Sequence, residues 1–222
     1  MAPRLLFEQE LEQLKIKVAE MGNYAEISYD KLFLAVKGND RDTLQQLLDS
    51  DRKIMDMLRS IEAMCLALMT KQQPVVAKDL RLVTAALKVV TDIERIGDHV
   101  SDMAELFLRR DESFGTEKCD DLIAAMMEEA CAMFREAIEA FVDGDSDTAR
   151  VVVDSDDAVD DLFNQVKESM MEAIRTQTLD ADQVVDNLII AKYLEKVGDH
   201  AVNIADWTLF RLTGEIEGRE IY

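Results

Sequence analysis

Between Leu82 and Phe107 the apolar residues return every three or four positions. Leu82, Ala86, Val89, Val90, Ile93, Ile96, Val100, Met103, Ala104 and Phe107 all follow this step, which lays one broad apolar face along an α-helix. Propensity alone does not hold so long a helix in water; burial of that face does. The same periodicity predicts six helices: Leu5–Lys37, Asp42–Lys71, Lys78–Arg110, a fourth from after Gly115 to near Gly144, Ser146–Thr176 and Asp180–Leu212. The punctuation agrees. Gly38-Asn39-Asp40, Pro74, Gly144 and Gly214 stand where helices should stop, and Asp or Ser stands where they should start. A helix of about 30 residues spans roughly 45 Å. Such helices with short connections fold back as antiparallel bundles, so the expected class is all-α.

The pattern occurs twice. LKVVTDIERIGDHVSDMAELF, from Leu87, matches LIIAKYLEKVGDHAVNIADWT, from Leu188, at an offset of 101 residues. Glu94/Glu195, Gly97/Gly198, Asp98/Asp199, His99/His200 and Ala104/Ala205 are identical, and Arg95/Lys196 and Asp102/Asn203 are conservative pairs. Upstream, LDSDRKI resembles VDSDDAV at an offset of 105. The difference lies in the loop after the second helix. The chain is therefore expected to be two tandem three-helix units, 1–112 and 113–222, related by a pseudo-twofold.

Composition narrows the function. The 222 residues carry a net charge of −21, which repels phosphate backbones and anionic headgroups, so nucleic acid and membrane surfaces are poor partners. A hydrophobic share of 48% excludes disorder as the main state. No apolar run reaches the length of a membrane span. The N-terminus breaks into charge by Glu8 and lacks the core of a signal peptide. Cys65, Cys119 and Cys131 form no CxxC pair and read as buried, reduced thiols of a cytoplasmic protein.

The candidate chemistry sits on the repeated segment. At about 100° per residue from Glu94, Asp98 falls near 40°, Asp102 near 80° and His99 near 140°. Glu94, Asp98 and Asp102 thus line one face at i, i+4, i+8, and Glu195, Asp199 and Asn203 take the same places in the second copy. Asp156 and Asp160 form a further i, i+4 pair on the fifth helix; in the first unit Asp51 is followed at that step by Met55. Like charges at this spacing oppose helix formation. Either a hard or borderline cation offsets them through oxygen ligands, or Arg95, Lys192 and Lys196 neutralise a solvated face. Gly97 and Gly198, mid-helix, point to close approach of another helix. His99 and His200, the only histidines, fall at the edge of the stripe, as ligands or as hydrogen-bonded boundary residues.

ERIGDHVSDMAE and EKVGDHAVNIAD, in two units about 100 residues apart, resemble the signature of the PhoU family of phosphate-specific transport regulators. The resemblance covers nearly the whole chain. It implies two three-helix bundles with metal clusters on the bundle surface, held by paired E/DxxxD motifs. Residue by residue, it points to Glu94, Asp98 and Asp102 with Asp51, and to Glu195, Asp199 and Asn203 with Asp156 and Asp160. The all-oxygen ligands permit magnesium, manganese or calcium; the resemblance adds iron and zinc. It also implies a cytoplasmic negative regulator between the ATPase subunit of the phosphate ABC transporter and a sensor histidine kinase; a homodimer is among the assemblies it allows. The alternatives are an accessory protein that modulates a phosphate permease, or a metal-binding scaffold without a signalling role.

An enzyme is the less favoured class. Ferritin-like di-metal sites need Glu-x-x-His, but Ile96 and Val197 stand three residues before the histidines. The chain has neither a P-loop pattern nor a convincing nucleophile–histidine arrangement.

Overall fold

The first helix shows how the sequence builds the bundle. Leu14, Val18, Met21, Ala25, Tyr29 and Leu32 recur at three- and four-residue steps and are all fully buried. The computed structural model describes residues 3–71, 76–109, 117–216 and 219–220. Among them lie seven helices: α1 (Pro3–Gly38), α2 (Arg41–Leu47), α3 (Ser50–Lys71), α4 (Ala77–Arg109), α5 (Glu117–Asp143), α6 (Ser146–Thr176) and α7 (Ala181–Thr213). A two-residue antiparallel pair, Glu215–Ile216 with Arg219–Glu220, follows α7. Pro74, Gly115 and the expected boundary at 112/113 lie outside the described residues.

Five of the six expected helices form close to their predicted ends. The second, predicted as Asp42–Lys71, is interrupted at Leu48 and Asp49, so α2 and α3 are separate. Two serine hydroxyls bond the carbonyls at the break. Ser50 Oγ donates to the Leu47 carbonyl at 2.7 Å, and Ser101 Oγ, from α4, donates to the Leu48 carbonyl at 3.1 Å. Both carbonyls are drawn from the ladder that would carry the helix through. In the second copy Ser101 is replaced by Val202, and α6 runs unbroken. Ser101→Val is expected to lower stability by about 1 kcal/mol, a few degrees of melting temperature. An unchanged thermal melt would show that the bond does not hold the break.

The two copies start their middle helices with one device. Asp40 accepts from Thr43 N at 3.1 Å and Thr43 Oγ1 at 2.7 Å; Asp145 accepts from Thr148 N at 3.2 Å and Thr148 Oγ1 at 2.8 Å. The residue before each cap is left-handed, Asn39 at φ 51° and Gly144 at φ 72°. Asparagine and glycine are the residues that accept that backbone most readily. α7 opens with a capping box between Asp180 and Gln183.

α4 packs on α1, α2 and α3; α7 packs on α5 and α6. The halves meet where α4 lies on α7 and α1 on α5. Of the ten apolar positions read from α4, all but half-buried Leu82 are buried. Tyr29 donates across the α1/α5 seam to the Met127 carbonyl at 3.0 Å. Arginines satisfy carbonyls at helix C-termini: Arg41 at Leu108 of α4, Arg211 at Phe141 of α5 and Arg81 at Arg211 of α7. The three cysteines are buried. Burial pushes the Cys65 and Cys131 thiols up to about 12, which keeps both protonated and unreactive. No described helix is long and apolar enough to cross a membrane.

Candidate metal-binding stripes and the seam between the halves

α7 carries Glu195 and Asp199 one turn apart, beside Gly198. Opposite Gly198 stands α6: a methyl placed there would lie 3.5 Å from Asp156 Oδ1 and 3.6 Å from Val159 Cγ1, ordinary contact, so the tight approach expected at this glycine is not required here. Asp156 thus lies beside the α7 acids. Its carboxyl is raised above the ordinary range, first by burial and then by the charges of Asp199, Asp160, Asp157 and Glu195. The α7 acids are met by lysines of their own helix. Lys192 and Lys196 pair with Glu195, and Lys196 pairs with Asp199. Glu195 Oε2 is buried and accepts no well-directed hydrogen bond, so these ion pairs are its electrostatic compensation.

The first copy differs in its neighbour. Opposite Gly97 stands Ile54, whose Cδ1 would lie 2.3 Å from an added methyl. Glu94 is 7% exposed and lies 3.5 Å from Arg95, which also binds Asp98 at 3.1 Å. Met55 is half-buried at the place of Asp160. The side chain of Asp51 lies outside the described residues.

Asp102 and Asn203 are drawn away from the stripes, into the seam where α4 crosses α7. Tyr193 hydrogen-bonds to Asp102, and Asn203 Nδ2 donates to Asp92 Oδ1 at 3.2 Å. His200 Nδ1 is 2.8 Å from the same Asp92 oxygen, and the His99 ring lies 5.1 Å from the Tyr193 ring. Asp92 and Tyr193 are equivalent across the offset of 101, as are Asp102 and Asn203, and His99 and His200. Each contact therefore has its counterpart under the pseudo-twofold, and the partner pairs run in opposite senses, so α4 and α7 are antiparallel here. The two imidazoles face each other near that axis with ring centres 5.6 Å apart.

Asp92 and Tyr193 escaped the sequence reading. Each stands seven residues before its histidine, two turns along the same helix face. That spacing was the available signal.

The two explanations of the stripe acids stand differently against this geometry. The local cations neutralise the acids, and among the described residues no three His, Cys, Asp or Glu side chains converge as a ready metal cage. In the second copy Asp160, Glu195 and Asp199 lie near enough to Asp156 for their charges to act on it, without converging as a cage. Lys192 and Lys196, with side chains 47% and 40% exposed, have room to swing away.

The PhoU domain model of protein families matches residues 18–107 and again 123–208. The chain is 31% identical over 215 residues to the phosphate-specific transport system accessory protein PhoU homolog of Clostridium acetobutylicum, covering 96% of each chain. It is 32% identical over 214 residues to PhoU homolog 1 of Methanothermobacter thermautotrophicus, covering 96% of this chain and 97% of that one. The crystal structure of PhoU from Pseudomonas aeruginosa superposes with a TM-score of 0.88 at 28% identity, over 94% of this chain and 100% of that one. The phosphate transport system regulatory protein PhoU from Streptococcus pneumoniae shares the fold, with a TM-score of 0.87 at 23% identity, over 95% and 98% of the two chains. With one family match in each half, and relatives aligned along nearly its whole length, the chain belongs to the PhoU domain family.

Proposed function

We propose that this chain is an accessory protein of phosphate transport. It acts as a cytoplasmic negative-regulatory adaptor between the ATPase subunit of the phosphate ABC transporter and a sensor histidine kinase. The observation that carries this reading is the full-length similarity to proteins named as phosphate-specific transport system accessory proteins. The net charge of −21 supports docking onto basic protein surfaces with salt-sensitive association. In pull-downs from phosphate-replete cells the tagged chain is expected to retain the transporter ATPase and the kinase. Recovery of neither would overturn the reading. Recovery of the transporter alone would reduce it to a permease accessory.

The adaptor binds divalent metal in this reading. Asp156, Asp160, Glu195 and Asp199 would hold it in the second half, and Glu94 and Asp98, with Asp51, in the first. The oxygen donors suit magnesium or manganese and tolerate iron or zinc. Bound metal would supply positive charge that ties α6 to α7 and neutralises the stripe. The halves are unequal, since Met55 replaces the fourth acid in the first. Glu195→Ala with Asp199→Ala is therefore expected to remove more metal, by elemental analysis of purified protein, than Glu94→Ala with Asp98→Ala. No loss from either pair would remove the metal from the reading; equal losses would overturn the inequality between the halves.

A further inference from the structure

The reading above assigns His99 and His200 no part, yet the fold places them together. Their ring centres are 5.6 Å apart, tilted by 33°, one from each half of the chain. Asp92 fixes one of them. A carboxylate only accepts, so the Nδ1 facing Asp92 Oδ1 at 2.8 Å carries a proton, and in the neutral ring His200 Nε2 keeps its lone pair. A carboxylate behind an imidazole is the usual support of a metal-binding histidine. The other ring is unsatisfied: His99 Nδ1 is buried and has no hydrogen-bond partner. Such an atom costs folding free energy unless something binds it. With Zn–N bonds of about 2.0–2.1 Å, two imidazoles on one tetrahedral ion have ring centres roughly 5 Å apart. The observed separation is close to that.

We propose that His99 and His200 together bind one borderline transition-metal ion, such as Zn²⁺, across the α4/α7 seam, with water completing its coordination. This site goes beyond the carboxylate stripes and does not depend on them. Its ligands are soft enough to prefer zinc to magnesium, and it would tie one half of the molecule to the other.

The chain has two histidines, so the ring C–H proton signals of untagged, chelator-stripped protein report on this pair alone. Zn²⁺ is added to a Glu94→Gln, Asp98→Asn, Glu195→Gln, Asp199→Asn background, which removes the α4 and α7 acids of the stripes. Both signals are expected to move together and to saturate at one ion per chain. His99→Gln or His200→Gln should weaken that binding at least tenfold and leave the remaining histidine unresponsive. Signals that stay still, or that move with separate midpoints, would overturn the proposal even if neither single variant folded. Loss of the response in the four-site background, with retention in the wild-type chain, would also overturn it by assigning the effect to the stripes.

Discussion

Gly97→Ala is expected to destabilise the protein by about 1–2 kcal/mol, whereas the same change at the equivalent Gly198 should be neutral or stabilising. Both glycines lie mid-helix, where alanine is favoured by about 1 kcal/mol through helix propensity alone. What differs is the space beside them. At Gly198 the added methyl meets Asp156 Oδ1 at 3.5 Å and Val159 at 3.6 Å, ordinary contact. At Gly97 it meets Ile54 Cδ1 at 2.3 Å, with the rest of Ile54 no closer than 3.5 Å. That end methyl must move, and Ile54 is 1% exposed with little room to turn. Overpacking of this kind costs about 1–3 kcal/mol, which outweighs the gain in propensity. The gap between the two variants should be about 2–3 kcal/mol, or roughly 5–10 °C in melting temperature for a chain of this size. Ile54→Val removes only the offending methyl, so Gly97→Ala in that background should cost much less than in the wild type. A double-mutant cycle by denaturant unfolding measures this coupling. Equal effects at the two glycines, or no rescue by Ile54→Val, would show that the close approach at Gly97 is not what sets its identity.

That asymmetry marks how far the sequence could be read. The repeat made the pseudo-twofold, the long helices and the close neighbour at Gly97 legible, because all three follow from periodicity and residue size; at Gly198 the same inference fails, since a methyl would meet only ordinary contact. It did not show which atom the neighbour presents, since Ile54 and Asp156 sit on other helices at register positions only packing decides. The split between α2 and α3 was hidden for the same reason. Ser50 alone is a common helix residue; at the break the Ser101 hydroxyl from α4 also bonds the Leu48 carbonyl. In the stripes, an i, i+4, i+8 wheel groups Asp102 with Glu94 and Asp98, but about 80° of rotation from Glu94 carries it to the edge that meets α7. There Tyr193 takes it. Helical periodicity names a face; the helix across the seam decides which of its residues belong together.

The same seam carries the second large effect. Stability of the metal-free protein is expected to fall by about 2 kcal/mol more between pH 7 and pH 4 in the wild type than in His99→Gln. Burial, then the charges of His200, Arg95 and Lys196, push the His99 imidazole down from 6.5 to about 4. The unfolded chain therefore takes up a proton at His99 that the folded chain refuses. Where the unfolded state binds more protons, stability rises with pH. The His99 contribution is thus fully present above about pH 6.5 and is lost as the pH falls toward 4. Each unit is worth about 1.4 kcal/mol, and the ring keeps some contact with solvent, so screening brings the sum to about 2 kcal/mol. A chain of net charge −21 also loses self-repulsion as its carboxylates protonate. That term acts in the opposite direction but is shared by both variants, so the difference isolates the histidine. Urea unfolding at several pH values, with chelator present, reads it directly. Parallel pH profiles for wild type and His99→Gln would mean that the α4/α7 seam admits the protonated ring without penalty, and that the buried nitrogen finds a partner as the pH falls.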